Sequence, residues 1–99
     1  MRHARRTDEN HSQIRDGLRQ LGWTVHDLSA VGGGVPDLCA LLVPGISLFL
    51  EVKAPDIKKA EQAMTKEQEV WWSFNHRITR IVQTVDEAHR ELTHAKERL

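Results

Sequence analysis

Val35-Pro36-Asp37-Leu38-Cys39-Ala40-Leu41-Leu42-Val43-Pro44-Gly45-Ile46-Ser47-Leu48-Phe49-Leu50-Glu51-Val52-Lys53 is the stretch on which the fold turns. Two apolar runs flank Pro44-Gly45, a turn signal, and together they read as an antiparallel hairpin. Side chains on a strand alternate faces, so Glu51 and Lys53 share a face with Phe49 and Ser47. A turn centred on Pro44 sets Asp37 opposite Glu51, with Cβ atoms roughly 4.5–5.5 Å apart. A two-residue shift would set Asp37 opposite Lys53 instead. In either register two carboxylates and an ammonium converge at the open end of the hairpin.

Working outward, Thr7-Asp8-Glu9 has the look of a helix start, with a capping oxygen and acids at the positive helix end. Ile14, Leu18 and Leu21 recur at helical spacing, and Gly22 ends that element. Trp23 to Leu28 alternates like a short strand. Gly32-Gly33-Gly34 is a mobile or sharply bent segment, able to bring backbone close to a phosphate or to act as a lid. Residues 54–64 are polar and read as loop. Thr65-Lys66-Glu67-Gln68 is a capping box opening a helix to about Phe74. Arg77 to Gln83 alternates as a further strand, and Thr84-Val85-Asp86-Glu87 is a second box, opening a C-terminal helix. The order helix, three strands, helix, strand, helix is that of a mixed α/β domain.

Clustered carboxylates repel and raise each other's pKa. A hard divalent cation such as Mg²⁺ relieves that repulsion, because it prefers carboxylate, carbonyl and water oxygens. The Val52 carbonyl, between the two key residues, is a natural additional ligand. Lys53 beside such a cation would neutralise developing charge, orient a water or act as a base. This is the outline of a phosphodiester-hydrolysis site. Asp after Pro is common in turns, and an isolated Glu-x-Lys is usually a solvated face. Their joint placement across one Pro-Gly turn is far more specific, and unpaired charge in an apolar sheet is costly.

The chain has 99 residues, enough for one domain, residues 1–99, with Met1 to Arg6 as a flexible basic arm. At this size folding buries only about 60–65 % of the unfolded surface. Lys plus Arg and Asp plus Glu are 14 each, which argues against a protein that coats nucleic acid by bulk charge. A local basic groove is compatible with that balance. Arg5, Arg6, Lys58, Lys59 and Lys66 are the candidate phosphate contacts. No run of about 18 apolar residues suggests a membrane span, and no signal-peptide core follows the basic start. An intracellular, cytoplasmic location is expected. The single cysteine, Cys39, excludes an internal disulfide and a multi-cysteine zinc site and reads as a small buried hydrophobe. The six histidines form no zinc pattern and read mostly as surface, His11 among them. Of the adjacent Trp71 and Trp72, one is expected in the core, the other exposed for base stacking or an interface.

Gly34-Val35-Pro36-Asp37-Leu38 followed by Phe49-Leu50-Glu51-Val52-Lys53 resembles the signature of PD-(D/E)xK nucleases, and more narrowly their VRR-NUC branch. In that branch an N-terminal helix carries a Glu, which Glu9 matches, and a helix after the E-x-K strand carries a Gln, which Gln68 matches. The resemblance covers roughly residues 7–83. It implies a restriction-endonuclease-like central mixed β-sheet flanked by α-helices. It also implies dependence on Mg²⁺ or Mn²⁺ and hydrolysis of DNA, with Asp37 and Glu51 on the metal, joined by Glu9. Lys53 would serve the attacking water and Gln68 would support the site. Short members of the branch look like virus- or bacterium-encoded homodimers that cut branched DNA such as four-way (Holliday) junctions. An alternative is a catalytically inactive nucleic-acid-binding or assembly module of the same fold.

Overall fold

A computed structural model describes residues 10–55 and 64–99. The element order is α1 (His11–Gln20), β1 (Val25–Asp27), β2 (Leu38–Val43), β3 (Ile46–Val52), α2 (Lys66–Asn75), β4 (Thr79–Val82) and α3 (Val85–Glu97). The expected succession of helices and strands is met. The four strands form one sheet in the order β1-β2-β3-β4. The β1–β2 and β2–β3 pairs are antiparallel, and β3–β4 is parallel. A parallel pair needs a long crossover, and α2 lies within the segment that joins β3 to β4. The chain is thus mixed α/β, a four-strand mixed sheet flanked by three helices.

The two faces of the sheet are unequal. Leu38, Ala40, Leu42, Leu48, Leu50 and Val52 alternate onto one face, where Ile14 and Leu18 of α1 and Ala88 and Leu92 of α3 close the core. Gly17 lets α1 come this near to α3, since a Cβ there would meet the Val85 methyls at 2.9 Å. Leu21, counted with Ile14 and Leu18 by spacing, is exposed, because it falls beyond the last turn of α1. The other face carries Cys39, Leu41, Phe49, Thr79 and Ile81 and is only partly covered by α2. Cys39 is therefore half-buried rather than a core residue. Phe49 meets the Trp71 ring edge-on at 5.0 Å. The Trp71 Nε1–H donates to Thr79 Oγ1 at 3.0 Å, which leaves Thr79 2 % exposed.

Both expected positions start a helix, and the full capping box forms at α2. Thr65 Oγ1 accepts from the Gln68 N–H at 3.1 Å, and Gln68 Oε1 accepts from the Thr65 N–H at 3.0 Å. At α3, Thr84 Oγ1 accepts from the Glu87 N–H, while the Glu87 carboxylate reaches back to the Gln83 N–H at 2.7 Å. The strand expected from Arg77 is shorter, because His76–Ile78 is a 3₁₀ turn. The helix start at Thr7 lies outside the described residues. Among the described residues no helix is long and apolar enough to cross a membrane.

Candidate functional site

The hairpin register sets Leu38 opposite Leu50, Cys39 opposite Phe49 and Ala40 opposite Leu48. These are the partners that a turn centred on Pro44 would give, although at the turn itself Val43 pairs with Ile46 and an irregularity between Leu41 and Val43 shifts the register. Carried one residue further, the Leu38–Leu50 pairing sets Asp37 opposite Glu51, and two residues further Pro36 opposite Val52. Backbone polar groups alternate sides along a strand. The Leu41 N–H donates to Thr24 and the Asp37 carbonyl accepts from the Leu28 N–H at 2.7 Å, so odd-numbered residues of this strand face β1. Even-numbered ones face β3, and Pro36 is the residue that would exchange hydrogen bonds with Val52.

Pro36 has no N–H to give. Strand β2 therefore supplies no donor to the Val52 carbonyl at that rung. The Val52 N–H is instead taken by the Asp37 side chain, whose Oδ2 accepts it at 2.9 Å. The Pro-Asp dipeptide thus ends the ladder, exchanges a backbone acceptor for a carboxylate, and leaves the Val52 carbonyl directed toward the same side. Asp37 is 5 % exposed and Glu51 8 %.

Glu51 and Lys53 lie at the carboxyl end of β3, on the face below α2. Lys53 Nζ stands 3.5 Å from Glu51 Oε2, with both side chains largely buried. Gln68 Nε2 donates to the same oxygen at 3.1 Å. The Gln68 amide thus does two things: its oxygen closes the capping box and its nitrogen holds Glu51. Gly34 sets the distance between α2 and the loop before Pro36. Its φ is +83°, and a Cβ there would lie 2.4 Å from the Glu67 carbonyl oxygen. The space beside these groups, bounded by Trp71, Trp72, Thr79 and Ile81, is about 10 Å³. That is room for about one water.

A side chain absent from the sequence-based site also serves it. Asn10, 6 % exposed, donates through Nδ2 to the Lys53 carbonyl at 3.0 Å and to the Gln83 carbonyl at 2.6 Å. Gln83 Nε2 in turn donates to the Ala54 carbonyl at 2.8 Å. Together they clamp the end of β3 just past the lysine. The signal was faint: an Asn at a helix start reads as a cap, but Asn10 makes no side-chain cap bond. His11 is likewise buried, not superficial as expected, because Nε2 pairs with Asp27 Oδ2 at 3.1 Å. Burial would raise the Asp27 carboxyl, but Ser29, through its hydroxyl and N–H, with Arg15 and His11, outweighs it and holds the group well below the usual carboxylate range.

Of the other expected residues, Lys66 stands exposed in the first turn of α2. Glu9, Arg5, Arg6, Lys58 and Lys59 lie outside the described residues. Among the described residues no group of three or more His, Cys, Asp or Glu side chains is placed to hold a metal. Asp37 and Glu51 supply two. Trp71 and Trp72 are both half-buried, not divided between core and solvent. Phe74, 83 % exposed, is the aromatic that faces out.

No family model, curated protein or solved structure matches this chain.

Proposed function

We propose that this chain is a metal-dependent DNA endonuclease of the PD-(D/E)xK type, of the VRR-NUC branch, with a restriction-endonuclease-like sheet. The observation that carries this reading is the opposition of Asp37 and Glu51 across a hairpin end where Pro36 interrupts the ladder. Two largely buried carboxylates set opposite one another repel, and a bound divalent cation relieves that repulsion. Their oxygens, with the Val52 carbonyl, are the hard donors that suit Mg²⁺ or Mn²⁺. Glu9 is the proposed further ligand.

A divalent ion bound here would acidify water and polarise the scissile phosphate. The protein's own part is positional. The Val52 N–H fixes Asp37, and Gln68 fixes Glu51. Lys53, with its backbone held by Val82 and Asn10, keeps its ammonium beside Glu51, where it attracts the phosphate and balances charge developing on it. The substrate proposed is DNA, branched DNA such as a four-way junction above all, met by a homodimer whose two-fold axis relates two cuts. Lys66, with Arg5, Arg6, Lys58 and Lys59, would contact its phosphates.

The test is a labelled panel of four-way junction, flap, single strand and duplex, each with Mg²⁺, Mn²⁺ or EDTA. Metal-dependent cutting is expected, and the substrate cut fastest names the class. Lys53→Ala should reduce cleavage roughly 10²–10⁴-fold while DNA affinity is retained. A folded wild-type protein that cuts no member of the panel would overturn the proposal.

A further inference from the structure

At the far end of β3 from Glu51, roughly 17 Å along the strand, a second feature has no part in the proposed chemistry. A groove of about 290 Å³ runs between the hairpin turn, the start of β4 and the last turn of α3. Leu42 and Leu48 lie in its floor, 7 % and 3 % exposed. Ile46 and Ile78, 44 % and 41 % exposed, form apolar walls open to solvent. Three guanidinium groups, Arg77, Arg80 and Arg98, line it as well.

The charge here is unbalanced although the chain as a whole is neutral. Arg80 has a partner in Glu91 at 3.6 Å, and its Nη1 is pinned by the carbonyls of Arg77 and Thr79 at 3.1 and 3.0 Å. Neither Arg77 nor Arg98 makes an ion pair with any described residue. Two cations with no ion-pair partner among the described residues therefore stand beside exposed aliphatic surface. A nucleic-acid backbone would satisfy the cations but offers nothing to Ile46 and Ile78. A small molecule has little to enclose it, since the groove is open and at the lower limit of ligand-pocket size. Arginine beside apolar anchors is the composition enriched where proteins meet proteins.

We propose that this groove docks an acidic peptide segment of another protein. Its aliphatic or aromatic side chains would seat on Leu42, Ile46 and Ile78, and its carboxylates would pair with Arg77 and Arg98. The site is separate from the Asp37–Glu51 cluster, and the proposal stands or falls independently of nuclease activity.

The test is a display library of short random peptides panned against the full chain. Binders are then measured on wild type, on the Arg77→Glu/Arg98→Glu double variant and on Ile46→Glu. All three positions are at the surface, so matched thermal melts should confirm unaltered folding. Enriched peptides should combine Asp or Glu with Leu, Ile or Phe, and each variant should weaken them about tenfold or more, a loss of ~1.4 kcal/mol. Three results would overturn the proposal. One is enrichment without acidic bias, or binding that survives both variants. Another is loss of duplex-DNA affinity in the double variant with no peptide bound, which would make the groove a nucleic-acid surface. The third is a wild-type dimer in light scattering that Ile46→Glu splits, which would make the occupant a second copy.

Discussion

Replacing Gly34 by alanine tests whether the loop before Pro36 and the start of α2 are built against one another. Two separate penalties apply. Gly34 has φ +83°, a left-handed conformation that costs an L-residue about 1–2 kcal/mol. Stiffening of the unfolded chain returns about 0.4–1 kcal/mol of that. The second penalty is steric. The added Cβ would lie 2.4 Å from the Glu67 carbonyl oxygen and 2.9 Å from the Gln68 nitrogen. Both are backbone atoms and cannot rotate away, so α2 must shift, at about 1–3 kcal/mol by analogy with overpacked cores. Gly33 is the internal control. Its φ is +66° and a Cβ there meets nothing within 4 Å. Gly33→Ala should therefore lose about 1 kcal/mol and Gly34→Ala about 2–4 kcal/mol. For a domain of this size that is roughly 4–8 °C in Tm for the first and roughly 10–25 °C for the second. Circular dichroism melts of the two variants would decide it. Equal melting temperatures would refute the close approach, and with it the account of how Gln68 is held over Glu51.

Further outcomes follow from the same contacts. Asn10→Ala strips donors from the Lys53 and Gln83 carbonyls, and urea unfolding should show a loss of about 2–4 kcal/mol; a loss under 0.5 kcal/mol would mean that the clamp adds nothing to the fold. Gln68→Ala and Thr65→Ala both break the α2 cap and should each lose ~1 kcal/mol. Only Gln68→Ala also removes the amide donor to Glu51, so cleavage should fall further in it than in Thr65→Ala, and equal rates would reduce Gln68 to a cap. The Asp27 carboxyl has a folded pKa below its unfolded one, so its ionised form stabilises the fold. That contribution is complete above the unfolded value, about pH 4, and is lost as pH falls through the folded value. The Tm advantage of wild type over Asp27→Asn should therefore narrow below about pH 4; a gap constant with pH would contradict the ion-pair role.

Where periodicity was strict, the sequence was a sufficient guide. Strand alternation and one Pro-Gly turn indicated the hairpin and the face shared by Glu51 and Lys53, while two registers stayed open. The Thr65 and Thr84 boxes located two helix starts because capping is local chemistry. What escaped was long-range. Nothing local indicates that Asn10 reaches carbonyls at the end of β3, or that His11 finds Asp27, since both depend on how α1 packs across the sheet. The half-covered face was also hidden. Leu41 and Cys39 look like core residues in a run of apolar letters, but which face receives two helices and which receives one is a matter of topology. Pro36 held more than a turn signal: only the register reveals that its missing N–H falls opposite the Val52 carbonyl.

Asp37 and Glu51, opposed at the hairpin end, are proposed to form a metal centre that cuts DNA. The most direct measurement is the single-turnover cleavage rate as Mn²⁺ is raised from zero, for wild type, Asp37→Asn and Glu51→Gln, each shown to be folded. Wild type should cut with a rate that saturates in Mn²⁺, and both near-isosteric variants should lose that rate by roughly 10³-fold or more. Cleavage that persists in either variant, or that needs no metal, would contradict the claim.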